Sequence, residues 1–136
     1  MTAGYSGTPL TKKLGVKEGS RVALLNAPHG FKRTLGELPH GVDLRSRAGS
    51  EADVVLLFVT RFTRLTSDFT KAMKMLPPET GMLWVAWPKK AAKLETDLDF
   101  DLVQKFGLAT GLVDTKICAI DETWSGLRFS RRRVRS

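Results

Sequence analysis

The sequence predicts one α/β domain in three layers, with a mostly parallel sheet of five or six strands and a C-terminal antiparallel hairpin. Three observations carry that prediction. Residues 54–59 read Val-Val-Leu-Leu-Phe-Val, a continuous apolar run of the length expected for a strand covered on both faces. Phe62, Leu65, Phe69, Met73 and Leu76 then recur at helical spacing, with Arg64, Asp68, Lys71 and Lys74 between them. Strand-like and helix-like segments go on alternating afterwards, the order that builds parallel strands with right-handed crossovers.

The elements follow in chain order. Residues 8–15 read as a short helix, with Thr8 as its cap, Pro9 at its first position and Gly15 at its left-handed exit. Leu10 and Leu14 would share one face of it. Residues 21–25 give the first strand, ended by the breakers Asn26-Ala27-Pro28-His29-Gly30. A short helix over 31–38, weakened by Gly36 and ended by Pro39, leads to a weak second strand over 42–45. Asp53 introduces the apolar run, and Pro77-Pro78 stops the helix after it. Residues 81–87 form the next strand, halted by Pro88. In the following helix Leu102, Val103 and Phe106 face inward, Asp99 is the cap and Gly111 the exit. Residues 113–120 make a further strand, and 121–126 turn into a final antiparallel strand over 127–134.

Composition bounds the class. The 136 residues suit a single domain over 1–136, with 1–7 an extended arm and 131–136 a basic, frayed tail. Hydrophobic residues make up 42% and charged residues 26%, enough apolar content to bury a core. No apolar run is long enough to span a bilayer, and the N-terminus lacks the pattern of a signal peptide. The lone Cys118 cannot form an internal disulfide, which fits a cytoplasmic protein. The net charge of +8 is concentrated in the tail, since residues 128–136 hold five arginines and no acid. Arg131, Arg132, Arg133 and Arg135 could touch the phosphates of a nucleic acid, but no RNA-binding signature accompanies them, so that partner is disfavoured.

Three segments carry a resemblance: Gly4-Tyr5-Ser6-Gly7-Thr8-Pro9-Leu10, Leu83-Trp84-Val85-Ala86-Trp87-Pro88-Lys89-Lys90 and Asp121-Glu122-Thr123-Trp124-Ser125-Gly126-Leu127. Together they resemble a family of small bacterial proteins built on a domain of unknown function, which implies a bacterial cytoplasmic protein and no particular activity. The first apolar strand, the Asp53 before the next one and the closing hairpin are similar in architecture to the Rossmann-like methyltransferases that use S-adenosylmethionine. Against that pattern, the turn after the first strand holds one late glycine and a proline that removes an N–H donor. The acid that such a fold places near the end of its second strand could be Asp43, but it sits early in a weak strand.

Ligands of open α/β sheets bind outside the carboxyl ends of the parallel strands. That rim would collect Asn26 and His29, Thr60 with Arg61, Lys89-Lys90, and the turn before Trp124. Arg61, Lys89 and Lys90 could hold a small anionic ligand, and Trp87 or Trp124 could offer it a flat wall, unless the tryptophans are core. His29 could exchange protons, though no nucleophile is paired with it; His40 lies in another loop. Two histidines and one cysteine, widely separated, predict no metal site, and Cys118 in a strand reads as a buried, inert thiol. The expectation is therefore a non-catalytic Rossmann-like binding or interaction module with no cofactor. The alternative is a degenerate methyltransferase-like enzyme using S-adenosylmethionine, or a nucleotide- or anion-binding protein, working at the same rim.

Overall fold

Val54, Val55, Leu56, Leu57 and Phe58 are all buried because their strand has a parallel neighbour on each side and a layer of helices on each face. The computed structural model describes residues 8–132. Its elements are α1 (Leu10–Leu14), β1 (Arg21–Leu25), α2 (Phe31–Leu35), β2 (Asp43–Arg45), β3 (Val54–Phe58), α3 (Phe62–Met75), β4 (Met82–Pro88), α4 (Phe100–Ala109), β5 (Leu112–Ala119) and β6 (Trp124–Arg131), with a single 3-10 turn at Lys90–Ala92. The six strands form one sheet in the order β2-β1-β3-β4-β6-β5. β2, β1, β3 and β4 are parallel, while β6 runs antiparallel between β4 and β5. The α/β class, the mostly parallel sheet and the closing hairpin are as the sequence predicts.

The period of two along each strand sorts the apolar residues between two cores. Ala23, Leu25, Val55, Leu57, Leu83, Val85, Leu127 and Phe129 face α3 and α4, where Leu65, Phe69, Ala72 and Val103 meet them. Val22, Leu24, Val54, Leu56, Phe58, Trp84 and Ala86 face the other way, against Leu14 of α1 and Phe31 and Leu35 of α2. The buried indole of Trp84 donates to the Leu14 carbonyl at 3.0 Å, so the last carbonyls of the five-residue α1 have a partner across the layer. Gly126 sits opposite Ala86 where Ile120 crosses the sheet, and a Cβ there would stand 2.6 Å from the Ile120 side chain. That close approach explains a glycine inside a strand.

Several expectations are corrected. α1 begins after Pro9 with no side-chain cap, so Thr8 does not cap it, although Gly15 leaves it at φ 85° as expected. α2 ends at Leu35 rather than at 38, because Gly36 at φ 82° takes the chain out of the helix. β6 starts at Trp124 rather than at 127. Asp99 caps α4 as expected, its Oδ1 accepting the Leu102 N–H at 2.9 Å. Asp68, read from the sequence as part of the polar face of α3, is 9% exposed and faces inward.

The sequence counts Arg131 with the basic tail, but it is part of a strand. Arg131 ends β6, and its guanidinium donates to the carbonyls of Pro77 (2.8 Å), Met73 (3.2 Å) and Leu76 (3.3 Å) at the end of α3. The Met73 carbonyl also accepts the capping Leu76 N–H at 3.2 Å, and a cation among these end groups complements the helix dipole. Arg131→Met, which keeps the apolar stem and removes the donors, is expected to destabilise the fold by about 1–2 kcal/mol. An unchanged midpoint in urea unfolding would contradict this role. Arg132 lies outside β6, and the arm over 1–7 and positions 133–136 lie outside the described residues.

Candidate functional site: the carboxyl rim of the sheet

Parallel direction gives the sheet one rim. Leu25 pairs with Leu57, Phe58 with Ala86 and Pro88 with Trp124, so β1, β3 and β4 all exit on the side where β6 begins. The loops after those strands meet there, as the alternating pattern implies. Asn26 leaves β1 in the left-handed conformation, at φ 59°. Its Nδ2 donates to the Phe58 carbonyl at 3.3 Å and to Asp68 Oδ2 at 2.9 Å, tying the first loop to the end of β3 and to α3. Asn tolerates this backbone region better than most residues, so the turn is made without glycine at its first position.

Asp68 is the hub beneath this loop. Besides Asn26 it takes the Arg64 Nε at 3.2 Å on Oδ2 and the Ser67 hydroxyl at 3.3 Å on Oδ1. Burial pushes its carboxyl up, but the hydrogen bonds from Asn26 and Arg64 and the Arg64 charge outweigh burial and hold it below the usual carboxylate range.

The other singled-out residues divide into three groups. Thr60 and Arg61 stand at the rim and are already engaged by residues 95–97: the Thr60 carbonyl accepts the Thr96 hydroxyl at 2.6 Å, and Arg61 is paired with Glu95. Asp97 Oδ1 in turn accepts the Phe62 N–H at 2.8 Å, anchoring the start of α3. His29, Lys89 and Lys90 also reach the rim; His29 and Lys90 are exposed, and the Lys89 N–H donates to the Thr123 carbonyl at 2.8 Å. Trp87 and Trp124 are core residues, 5% and 8% exposed, on opposite faces of the sheet. Trp124 meets Phe58 edge to face at 5.0 Å, so neither indole offers an open wall.

A cleft of about 440 Å³ opens at the exits of β1 and β2. Leu24, Ala27 and Phe31 form its apolar side, and Asn26, Lys32 and Ser46 its polar one. Among the singled-out residues Asn26 lines it. The sequence does not mark Lys32 and Ser46, because they belong to a helix and a loop whose packing across β1 and β2 is a tertiary event. Asp68 was within reach: it stands three residues after Leu65 and four before Ala72, on the inward stripe of α3.

Two further groups belong to the frame. Asp53, at the start of β3, accepts Arg21 Nη2 at 2.9 Å and Nε at 3.1 Å, and these bonds hold its carboxyl below the usual range. It stands at the opposite end of the sheet from the rim. Cys118 is half-buried rather than buried, and that burial pushes its thiol up despite Lys116 nearby. Among the described residues no three His, Cys, Asp or Glu side chains are grouped to hold a metal ion, and no helix is long and apolar enough to cross a membrane.

Solved methyltransferases, among them ones that use S-adenosylmethionine (SAM), are similar to this fold. A SAM-dependent methyltransferase from Aquifex aeolicus superposes at a TM-score of 0.56 over 89% of this chain and 87% of that one, at 17% identity. The DhpI-SAM-HEP complex gives 0.57 over 91% and 84%, at 9% identity. A putative RNA methyltransferase from Pyrococcus horikoshii gives 0.51 over 90% and 78%, at 15% identity. No protein-family model matches the chain, and no curated protein matches it in sequence. At these identities the shared property is the fold.

Proposed function

We propose that this protein is a small-molecule-binding protein built on the methyltransferase fold, which holds its ligand outside the carboxyl ends of β1 and β2. One observation carries the reading: the 440 Å³ cleft lies where the first loop leaves β1 and the chain leaves β2. Its volume falls within the range of roughly 300–1,000 Å³ common to small-molecule sites. The Asn26 bonds to Phe58 and Asp68 hold the loop in shape before any ligand arrives. The resemblance to the small bacterial family adds no activity to this reading.

A catalytic reading, methyl transfer from SAM, has the names of the structural neighbours in its favour. The rim residues do not fit that cofactor. A nucleoside-binding first turn uses glycines so that backbone and ligand approach closely, and a carboxylate at the end of the second strand takes the ribose hydroxyls. Here Asn26 and Pro28 stand in the turn. Asp43 opens β2 instead of closing it and lies 3.5 Å from Arg45, while Ser46 follows the strand end. We therefore place binding ahead of methyl transfer.

The test is a titration of ¹⁵N-labelled protein, followed by amide shifts and thermal midpoint, with SAM, S-adenosylhomocysteine, four nucleosides and their 5′-monophosphates. A bound ligand is expected to move the amides of residues 26–32 and 46 and to raise the midpoint; at a hundred times its Kd it would add about 2.7 kcal/mol. If no compound perturbs those amides, the proposal fails. Release of S-adenosylhomocysteine from SAM would restore the catalytic reading.

A further inference from the structure

We infer that the cleft at the exits of β1 and β2 takes a ligand bearing a phosphate group, of about mononucleotide size. The inference rests on that cleft being the binding site, and it names the chemistry of what binds there. The cleft has two unlike sides. Leu24, Ala27 and Phe31 offer an apolar surface suited to a base or another flat ring, while Lys32 and Ser46 offer an ammonium and a hydroxyl. No carboxylate lines the cleft.

The surroundings reinforce this polarity. Lys32 has no ion pair or side-chain hydrogen bond among the described residues, so its charge is not cancelled locally. The nearby acids are committed elsewhere: Asp43 lies 3.5 Å from Arg45, and Glu51 lies 3.3 Å from Arg21. Arg45, which ends β2, is held by Asp43 and by the Glu51 carbonyl at 2.7 Å, so where a ribose-binding fold places its acid the chain offers Ser46, with Arg47 next to it. Exchange of that acid for a hydroxyl, beside the Lys32 ammonium, changes what the site prefers, from a sugar diol to an anion. A phosphate monoester has three acceptor oxygens and nearly two negative charges at neutral pH. It can therefore accept from the Lys32 ammonium and the Ser46 hydroxyl together. The sulfonium of SAM, carrying positive charge, gains nothing from Lys32.

The experiment compares each nucleoside with its own 5′-monophosphate, with SAM and inorganic phosphate as further probes. Wild type, Lys32→Gln and Ser46→Ala are measured by calorimetry, and the bound position is checked by amide shifts. Both substituted side chains are exposed, so the fold is expected to survive. At least one monophosphate should bind ten times more tightly than its nucleoside, and that preference should shrink with added salt. Lys32→Gln should remove most of it, weakening the monophosphate far more than the nucleoside. Inorganic phosphate should compete with the monophosphate. If a nucleoside or SAM binds in the cleft as tightly as every monophosphate, or if Lys32→Gln changes nothing, the phosphate assignment falls and the binding site stands. If no probe reaches the cleft, both fall.

Discussion

Alanine at position 107 is expected to destabilise the protein by about 2 kcal/mol, the reverse of its usual effect inside a helix. In an exposed helix interior, glycine to alanine gains about 1 kcal/mol. Gly107 instead lies on the buried face of α4, against β6. A Cβ there would stand 2.1 Å from one ring carbon of Phe129 and 2.3 Å from the next. That ring has nowhere to go: Phe129 is fully buried and meets Phe69 edge-on at 5.6 Å, and Phe69 meets Phe106 in the same way at 5.3 Å. Overpacking a core of this kind costs roughly 1–3 kcal/mol, and the overlap here lies at the upper end, so the propensity gain is overwhelmed. Urea unfolding measures the outcome. Phe129→Leu should be less damaging in the Gly107→Ala background than in wild type; strictly additive losses would show that the two residues do not collide.

Asp68→Ala is expected to cost about 2–3 kcal/mol at neutral pH, because it strips the acceptor from the Asn26 amide and from Arg64 in a nearly buried place. The pH dependence has a definite sign. The carboxyl is held below its ordinary value of 3.8 in the folded chain. Its contribution is therefore present above that value and is lost as the pH falls through the lower, folded one. The stability gap between wild type and Asp68→Ala should accordingly narrow in acid. A gap of constant size from pH 7 to pH 3 would show that the carboxylate charge is not what binds the loop. The same substitution should also speed hydrogen exchange in residues 26–30 more than in β4, since Asp68 supports the loop and not the centre of the sheet.

These two sites mark where reading along the chain succeeds and where it stops. β3 and α3 are legible because their apolar periods are unambiguous, and the shared rim follows from the alternation of the two kinds of element. The α4 cap is legible because Asp99 acts within three residues of its own position. Asp68 is hidden by its charge, although its spacing from Leu65 and Ala72 places it inward. The role of Arg131 depends on carbonyls 54 to 58 residues away, which no local pattern encodes. Trp87 and Trp124 are read as either wall or core because a strand's alternation separates its two faces without saying how completely helices cover them. The cleft itself needs α2 to lie beside β1 and β2, so Lys32 and Ser46 emerge only with tertiary packing.

The position of β6 between β4 and β5 bears on how the chain assembles during synthesis. Until residues 124–131 have left the ribosome, β4 has one open edge and β5 has no strand to join. Among the described strands the last to be made is thus the one that completes the sheet, and its pairings with β4 bridge up to 46 residues of sequence. Such distant partners favour slow, late and cooperative closure over stepwise growth from the N-terminal side. A nascent chain halted before residue 124 would leave one edge of β4 and the whole of β5 unpaired, the kind of surface that chaperones hold.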